Sequence, residues 1–356
     1  MIVKGIDTIE FGLDVSNYFS SFSEYLEIFS SLKQKAHEEG IERELEINNI
    51  SFKVHRIGIK FYAFRLSCND FFICFMDKEV KNTPPIKIRF LASYLWSMGF
   101  QGAVERFYEW FKHFNLNIES SRISRVDICV DSDEYYFCED DINKIVTRAR
   151  GKSKHFVNDE FYNGRKFSGL TIGRGDPILA RIYNKTLEIK TSQKTWFHQV
   201  WKENSWNDSE EVWRTEFQIR RKALKEFGVN SIEDFLRIEP GIWRYLTTKW
   251  LILKNPSSDK NQSRWDICEK WQLIQDANIH QTTSPAVREK VRLGNTPQLL
   301  DQVTGLLITI GALNNLTNLN ETTELVKRWT EAKLFNRDTT FDKEKEQRIK
   351  RFLVFK

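Results

Sequence analysis

RISRVDICVDSDEYY, residues 122–136, switches the chain from helix to sheet. Ile123, Val126, Ile128 and Val130 are its apolar positions, and from Val126 they fall on every second residue. Successive strand side chains point to opposite faces, so Val126, Ile128 and Val130 share one face and Asp127, Cys129 and Asp131 the other. Just upstream, GFQGAVERFYEWFKHFNLN (99–117) sets Val104, Phe107, Tyr108, Phe111 and Phe114 at helical spacing, an amphipathic helix of about four turns.

The same reading extends in both directions. Upstream stand an opening strand, a helix over SEYLEIFSSLKQKAHEEG (23–40), short strands between 50 and 77 with a turn at Asn69-Asp70, and a break at Pro84-Pro85. In IKIRF (86–90), Ile86, Ile88 and Phe90 alternate with Lys87 and Arg89, as a strand does. Downstream, EDDINKIVTRAR (139–150) carries acids at its start and arginines at its end, which predicts a helix on dipole grounds. FSGLTIGRG (167–175), PILARIYNKTLEI (177–189) and EVWRTEFQIRR (211–221) read as strands, with a tryptophan-rich loop (Trp196, Trp201, Trp206) before the last. ALKEFG and SIEDFLRI begin helices, the second capped by Ser231 with Glu233 and Asp234 behind it. After the polar stretch KNPSSDKNQS (254–263) everything reads helical. The expectation is an α+β domain over 1–256, with an antiparallel sheet made of duplicated strand–helix–strand units, and a helical region over 257–356.

Composition sets limits on function. The 356 residues are 40% hydrophobic and 29% charged, with 27 phenylalanines, 11 tryptophans, 16 glycines and seven prolines, which excludes collagen-like and disordered chains. No apolar run approaches the ~18 residues of a membrane span. The opening MIVKGIDTIEFGLDVS is broken by Lys4, Asp7 and Glu10 and reads as neither signal nor transit peptide, so a cytoplasmic protein is expected. Five cysteines without a CxxC pair speak against zinc sites and disulfide frameworks. A net charge of +5 permits a nucleic-acid partner without demanding one.

Three strand faces and one turn carry candidate chemistry. Asp127 and Asp131 are hard oxygen donors for Mg²⁺ or Mn²⁺. In LARIYNKTLE (179–188), Arg181, Tyr183 and Lys185 share a face, a tyrosine between two cations that lower the cost of a phenolate or hold a phosphate. In VWRTEFQIRR (212–221), Arg214, Glu216, Gln218 and Arg220 share a face, with Glu216 as a further carboxylate ligand. Gly173, Arg174 and Gly175 form a turn in which backbone can approach a ligand and the arginine can grip phosphate. Singly, each pattern equally suits an ordinary solvated strand or hairpin. Converging, they meet the needs of phosphodiester transesterification: a hard metal, a nucleophile and phosphate-binding cations. Arg150, Lys152, Lys154, Arg165 and Lys166, interleaved with Phe156, Phe161 and Tyr162, suit a single-stranded DNA groove or a solvated basic loop, and Arg220 extends the basic surface.

In its order of blocks, RISRVDICVD, then GLTIGRG with ARIYNK, then WRTEFQIRR, the chain resembles the Rep-trans family of replication initiation factors, over roughly residues 50–260. These are rolling-circle plasmid initiators, with relatives among the relaxases of mobile elements and phage initiators. The resemblance implies that Tyr183, in an Arg-hydrophobe-Tyr-Asn-Lys block, attacks DNA to leave a 5′-phosphotyrosine. It implies that Asp127, with Asp131, is the strand aspartate, and that Arg214 and Glu216 form the later R-x-E strand. Like that family, the chain has no His-x-His pair, so the metal set rests on carboxylates with His155 as an addition. SRWDICEKWQLI (263–274) resembles a segment following the nicking domain. A DNA origin, a host helicase and a homodimer are the partners implied. A catalytically inactive DNA-binding protein and a metal nuclease using water stay open as alternatives.

Overall fold

The alternation in residues 126–131 becomes part of a 15-residue strand, Ile118–Ser132, in a computed structural model that describes residues 1–159, 164–277 and 296–346. In chain order the strands are β1 (Ile2–Val15), β2 (Arg43–Ile47), β3 (Ile50–Val54), β4 (Phe64–Ser67), β5 (Phe71–Phe75), β6 (Ile86–Phe90), β7 (Ile118–Ser132), β8 (Ile145–Thr147), β9 (Lys152–Asp159), β10 (Gly164–Ile172), β11 (Ile178–Asn184), β12 (Trp213–Arg220) and β13 (Leu251–Leu253). Eleven of them form one sheet, ordered β2-β3-β4-β5-β6-β1-β7-β12-β11-β10-β9, and each neighbouring pair is antiparallel. The long strands β1 and β7 form the middle of it. The β2–β3 hairpin turns at Asn48 and Asn49, both with positive φ, a conformation asparagine tolerates.

The principal helices are α1 (Ser23–Glu38), α2 (Ala92–Met98), α3 (Phe100–Phe111), α4 (Lys185–Ser192), α5 (Trp196–Lys202), α6 (Ile232–Tyr245), α7 (Glu269–Asp276), α8 (Thr296–Leu313) and α9 (Leu319–Phe335). The apolar sheet face, with Phe11, Phe71, Phe90, Ile128, Val130 and Phe217, is covered by side chains of α1, α3 and α6. Phenylalanines pack there edge to face: Phe11 lies 5.2 Å from Phe90 and 5.7 Å from Phe107, ring centre to ring centre. Each such buried ring contributes about 1.5–3 kcal/mol. Ser231 caps α6 as expected, in a reciprocal capping box with Asp234.

Four local expectations change. Residues 139–150 form only a short helical turn, Asp141–Lys144, before strand β8, which pairs with β13. Ile145, Val146 and Thr147 are consecutive β-branched residues, and their stiff side chains outweigh the dipole pattern. The basic stretch that follows is a β9–β10 hairpin rather than a loop. Strand β11 ends at Asn184, whose side chain accepts from the Leu187 N–H and starts α4. The tryptophan-rich loop contains helix α5, with Trp201 fully buried.

Residues beyond the expected break at 256 pack into the same body. Trp271 and Ile274 of α7 are fully buried in the main core, and Trp271 donates to the Thr247 carbonyl at 2.8 Å. Helices α8 and α9 follow as a hairpin in which Gly311 lies against Thr322. Among the described residues no helix is long and apolar enough to cross a membrane.

Candidate active site on the polar sheet face

Strand register brings three of the four sequence blocks together. Arg214, Glu216 and Gln218 of β12 stand opposite Asp131, Cys129 and Asp127 of β7. On the other side of β12, Glu216 pairs with Arg181 and Arg214 with Tyr183 of β11. Tyr183 in turn lies beside Gly169 of β10. That approach requires glycine: a Cβ at 169 would fall 2.4 Å from the Ile182 carbonyl oxygen and 2.8 Å from the Tyr183 Cβ.

Tyr183, Glu216, Arg181 and Asp127 form one polar cluster. The Tyr183 hydroxyl donates to Glu216 Oε2 at 3.1 Å. Arg181 Nη2 reaches Glu216 Oε1 at 2.5 Å and Asp127 Oδ2 at 3.9 Å. Arg125, which sequence reasoning did not single out, grips Asp127 with two bonds, Nε to Oδ1 at 2.8 Å and Nη2 to Oδ2 at 2.5 Å. Burial, helped by the charge of Glu216, pushes the Asp127 carboxyl up to about 6 against the pull of Arg125 and Arg181. Burial and the same Glu216 carboxylate raise the Tyr183 phenol well above its ordinary value, so it keeps its proton at neutral pH. Arg181, 38% exposed, is the open side of the cluster.

Asp131 and Arg214 have a different task. Both are fully buried, and Arg214 holds Asp131 through Nε at 2.6 Å and Nη2 at 2.8 Å. Trp201 Nε1 also donates to Asp131, at 2.9 Å. Arg214 Nη1 reaches Asp7 at 2.6 Å, and its guanidinium lies 4.5 Å from the centre of the Phe197 ring. Two expectations are corrected here: Asp131 is occupied by Arg214 and Trp201 rather than open to a metal, and Arg214 is sealed from DNA by α2 and α5. A bulge in β1 between Ile6 and Thr8 delivers Asp7 to this cluster. There the Arg214 charge overcomes burial and holds Asp7 at about 2. Lys185 is also buried, paired with Glu188 and 5.7 Å from the centre of the Tyr183 ring. Burial, reinforced by Arg214, lowers its pKa.

The remaining expected residues spread out. Arg174 is exposed in the β10–β11 turn; Tyr183 stands five residues beyond Ile178, the start of β11, roughly 17 Å along the strand. It therefore does not join Tyr183. Lys152 and Lys154 project from the face opposite Tyr183: Lys152 donates to the Ile142 and Ile145 carbonyls and Lys154 to Glu139. Lys166 pairs with Glu211, Arg150 and Arg165 are exposed, and Arg220 donates to the Gly175 carbonyl from the exposed end of β12. His155 is exposed and bonds to Thr171 at 2.8 Å. Phe161 and Tyr162 lie outside the described residues.

Among the described residues no group of three or more His, Cys, Asp or Glu side chains gathers where a metal ion could sit. Two carboxylates close enough to perturb one another do, Asp127 and Glu216. Both oxygens of each already have partners, Asp127's in Arg125 and Glu216's in Arg181 and Tyr183, so Mg²⁺ or Mn²⁺, an ion often held by one or two carboxylates and completed by water and substrate phosphate, would have to replace some of these bonds.

No protein-family model and no curated protein matches the chain. A solved structure described as a rolling circle replication initiator protein from Geobacillus stearothermophilus aligns at TM-score 0.46 with 15% identity, covering 80% of this chain and 100% of that one. The functional reading therefore rests on the side chains themselves.

Proposed function

We propose that the protein is a DNA nicking-closing enzyme that starts rolling-circle replication through a tyrosine transesterification. The observation that carries this is the bond from the Tyr183 hydroxyl to Glu216, with Arg181 spanning Glu216 and Asp127. It joins a nucleophile, a proton acceptor and a cation on a half-open sheet face, the chemistry that the quoted sequence blocks imply.

In this reading Glu216 takes the phenolic proton as Tyr183 Oη attacks the scissile phosphorus. The Oη–P bond forms, the P–O3′ bond breaks, and the departing oxygen takes a proton to become a 3′-hydroxyl. The 5′-phosphotyrosine keeps the bond energy for rejoining. Arg181 faces the charge growing on the phosphate oxygens, and Arg125 keeps Asp127 in place. Asp127 and Glu216 would hold Mg²⁺ or Mn²⁺, which when bound polarises the phosphate. Double-strand origin DNA is the partner, with a helicase and a second copy as further partners the resemblance implies. The same chemistry serves a mobile-element relaxase. The strand order, which runs outward alike on both sides of the β1–β7 pair, supports a duplicated unit.

The test is capture of the covalent adduct. The protein is incubated with a single-stranded oligonucleotide bearing its nick site and Mn²⁺ or Mg²⁺, then denatured, and the adduct is mapped by mass spectrometry. An adduct on Tyr183 that vanishes with chelator supports the reading. Cleavage without an adduct points to a water nuclease, and binding without cleavage to an inactive DNA-binding protein.

A further inference from the structure

The polar sheet face does not stop at the candidate site. Following cross-strand partners outward from Asp127's neighbour Arg125, one row runs Arg125, Glu10, Arg89, Phe72, Ser67 and Lys53 across β7, β1, β6, β5, β4 and β3. The next row contains Lys87, Cys74 and Arg65. Helices α1 and α3 pack against the opposite, apolar face, and Arg65, Phe72, Lys87 and Arg89 remain partly exposed. Glu10 is the acid in the row as far as β3, Glu44 standing opposite Lys53 on the edge strand β2, and three cations surround Glu10: Lys87 at 2.8 Å, Arg125 at 3.6 Å and Arg89 at 4.0 Å. The Arg65 guanidinium lies 4.7 Å from the centre of the Phe72 ring, presenting a cation and an aromatic surface together.

We propose that this face of β3–β6 is a binding track for single-stranded DNA, leading from the scissile phosphate at Tyr183 across the N-terminal half of the sheet. It rests on the nicking reading only for the identity of the strand it guides. A row of cations binds phosphates without reading sequence, and an aromatic ring among them stacks a base. Five strand spacings from Lys53 to Arg125 make a track of roughly 24 Å, long enough for several nucleotides. Continuity with the site is direct, because Arg125 bonds Asp127 at one end and approaches Glu10 at the other.

The experiment measures binding of a fluorescein-labelled single-stranded oligonucleotide by anisotropy over a salt series, in the full-length chain carrying Tyr183→Phe. Adding Arg65→Ala, Lys87→Ala and Arg89→Ala together is expected to weaken binding by about tenfold or more. It is also expected to flatten the log–log salt dependence by about 2, three lost contacts at about 0.7 each. Unchanged affinity and slope would overturn the proposal, as would a parent protein that binds no single strand at low salt. Ultraviolet crosslinking of the same oligonucleotide to the chain without these three changes removes any question of folding. Crosslinked peptides are expected within residues 64–75 and 86–90, and crosslinks confined elsewhere would sink the idea. Adduct formation on Tyr183, assayed separately, tells the two readings apart: an adduct with no effect of the three changes leaves nicking and removes the track. Loss of binding in the triple variant without any adduct in the unmodified protein does the reverse.

Discussion

Tyr183 faces Arg214 in the β11–β12 register, yet its hydroxyl donates to Glu216, two residues further along β12, at 3.1 Å. The arginine it faces has only donors, spent on Asp131 and Asp7, so the Glu216 carboxylate is the group that can accept the proton. Tyr183→Phe is therefore expected to abolish the covalent adduct while leaving oligonucleotide binding intact. Glu216→Gln keeps the shape and removes the base; single-turnover nicking should slow by about 10²–10⁴-fold, with the adduct still forming on Tyr183. An unimpaired Glu216→Gln would assign the proton to another group.

Asp127 sets a pH dependence. Its carboxyl titrates at about 6 in the fold, above the ordinary aspartate value, and it must be ionised to hold a cation. Nicking at subsaturating Mg²⁺ should fall as pH drops through about 6, and excess metal should recover part of the loss. Stability runs the other way. A raised carboxyl pKa means that the folded state binds the proton more tightly, so this contribution is complete below the unfolded value and is lost as pH rises through about 6. Melting temperature against pH should show that decline in the parent and a flatter course in Asp127→Asn.

The buried Arg214–Asp131 pair is structural. Arg214→Met leaves Asp131 and Asp7 without their cation and should cost about 3–5 kcal/mol of stability, read by urea denaturation. A variant as stable as the parent would show that the two carboxylates find other partners or protonate at little cost.

Gly169 supports the tyrosine from below. Gly169→Ala forces a methyl group against the Ile182 carbonyl and the Tyr183 Cβ. A loss of about 1–3 kcal/mol is expected, together with slower adduct formation per folded molecule because Tyr183 is displaced from Glu216. Reduced stability with an unchanged single-turnover rate would mean that β10 yields and Tyr183 does not.

Alternation alone made much of this site legible. Asp127, Arg181, Tyr183 and Glu216 share one face because each occupies the polar phase of a period-two segment, and period two survives folding. What covers that face is not written in period two. Asp131 and Arg214 sit in the same phase as Asp127 and Glu216, but α2 and α5 close over them, and that closure is set by packing of Trp96, Phe197 and Trp201 rather than by the strands. Asp7 was hidden for another reason: one extra residue in β1 turns it toward an arginine more than two hundred positions away. Lys152 and Lys154 have the right charge and the wrong side: their charge pattern suits a groove or a loop alike, and only the β9–β10 pairing assigns them a face. Arg125 looked like a flank of the strand, and only the ion pairs to Asp127 and Glu10 give it a role.

The central position of β1 has a consequence for synthesis. β1 is synthesised before both of its sheet neighbours, and β6 can pair with one of its edges once Phe90 is made. The other edge waits for β7, which is complete only at Ser132. Those roughly 40 residues correspond to on the order of 2–8 s of translation. During that interval a long, largely apolar strand presents a bare edge, the feature that recruits stray chains. Nascent protein should therefore stay vulnerable to aggregation, and dependent on chaperones, until Ser132 is made.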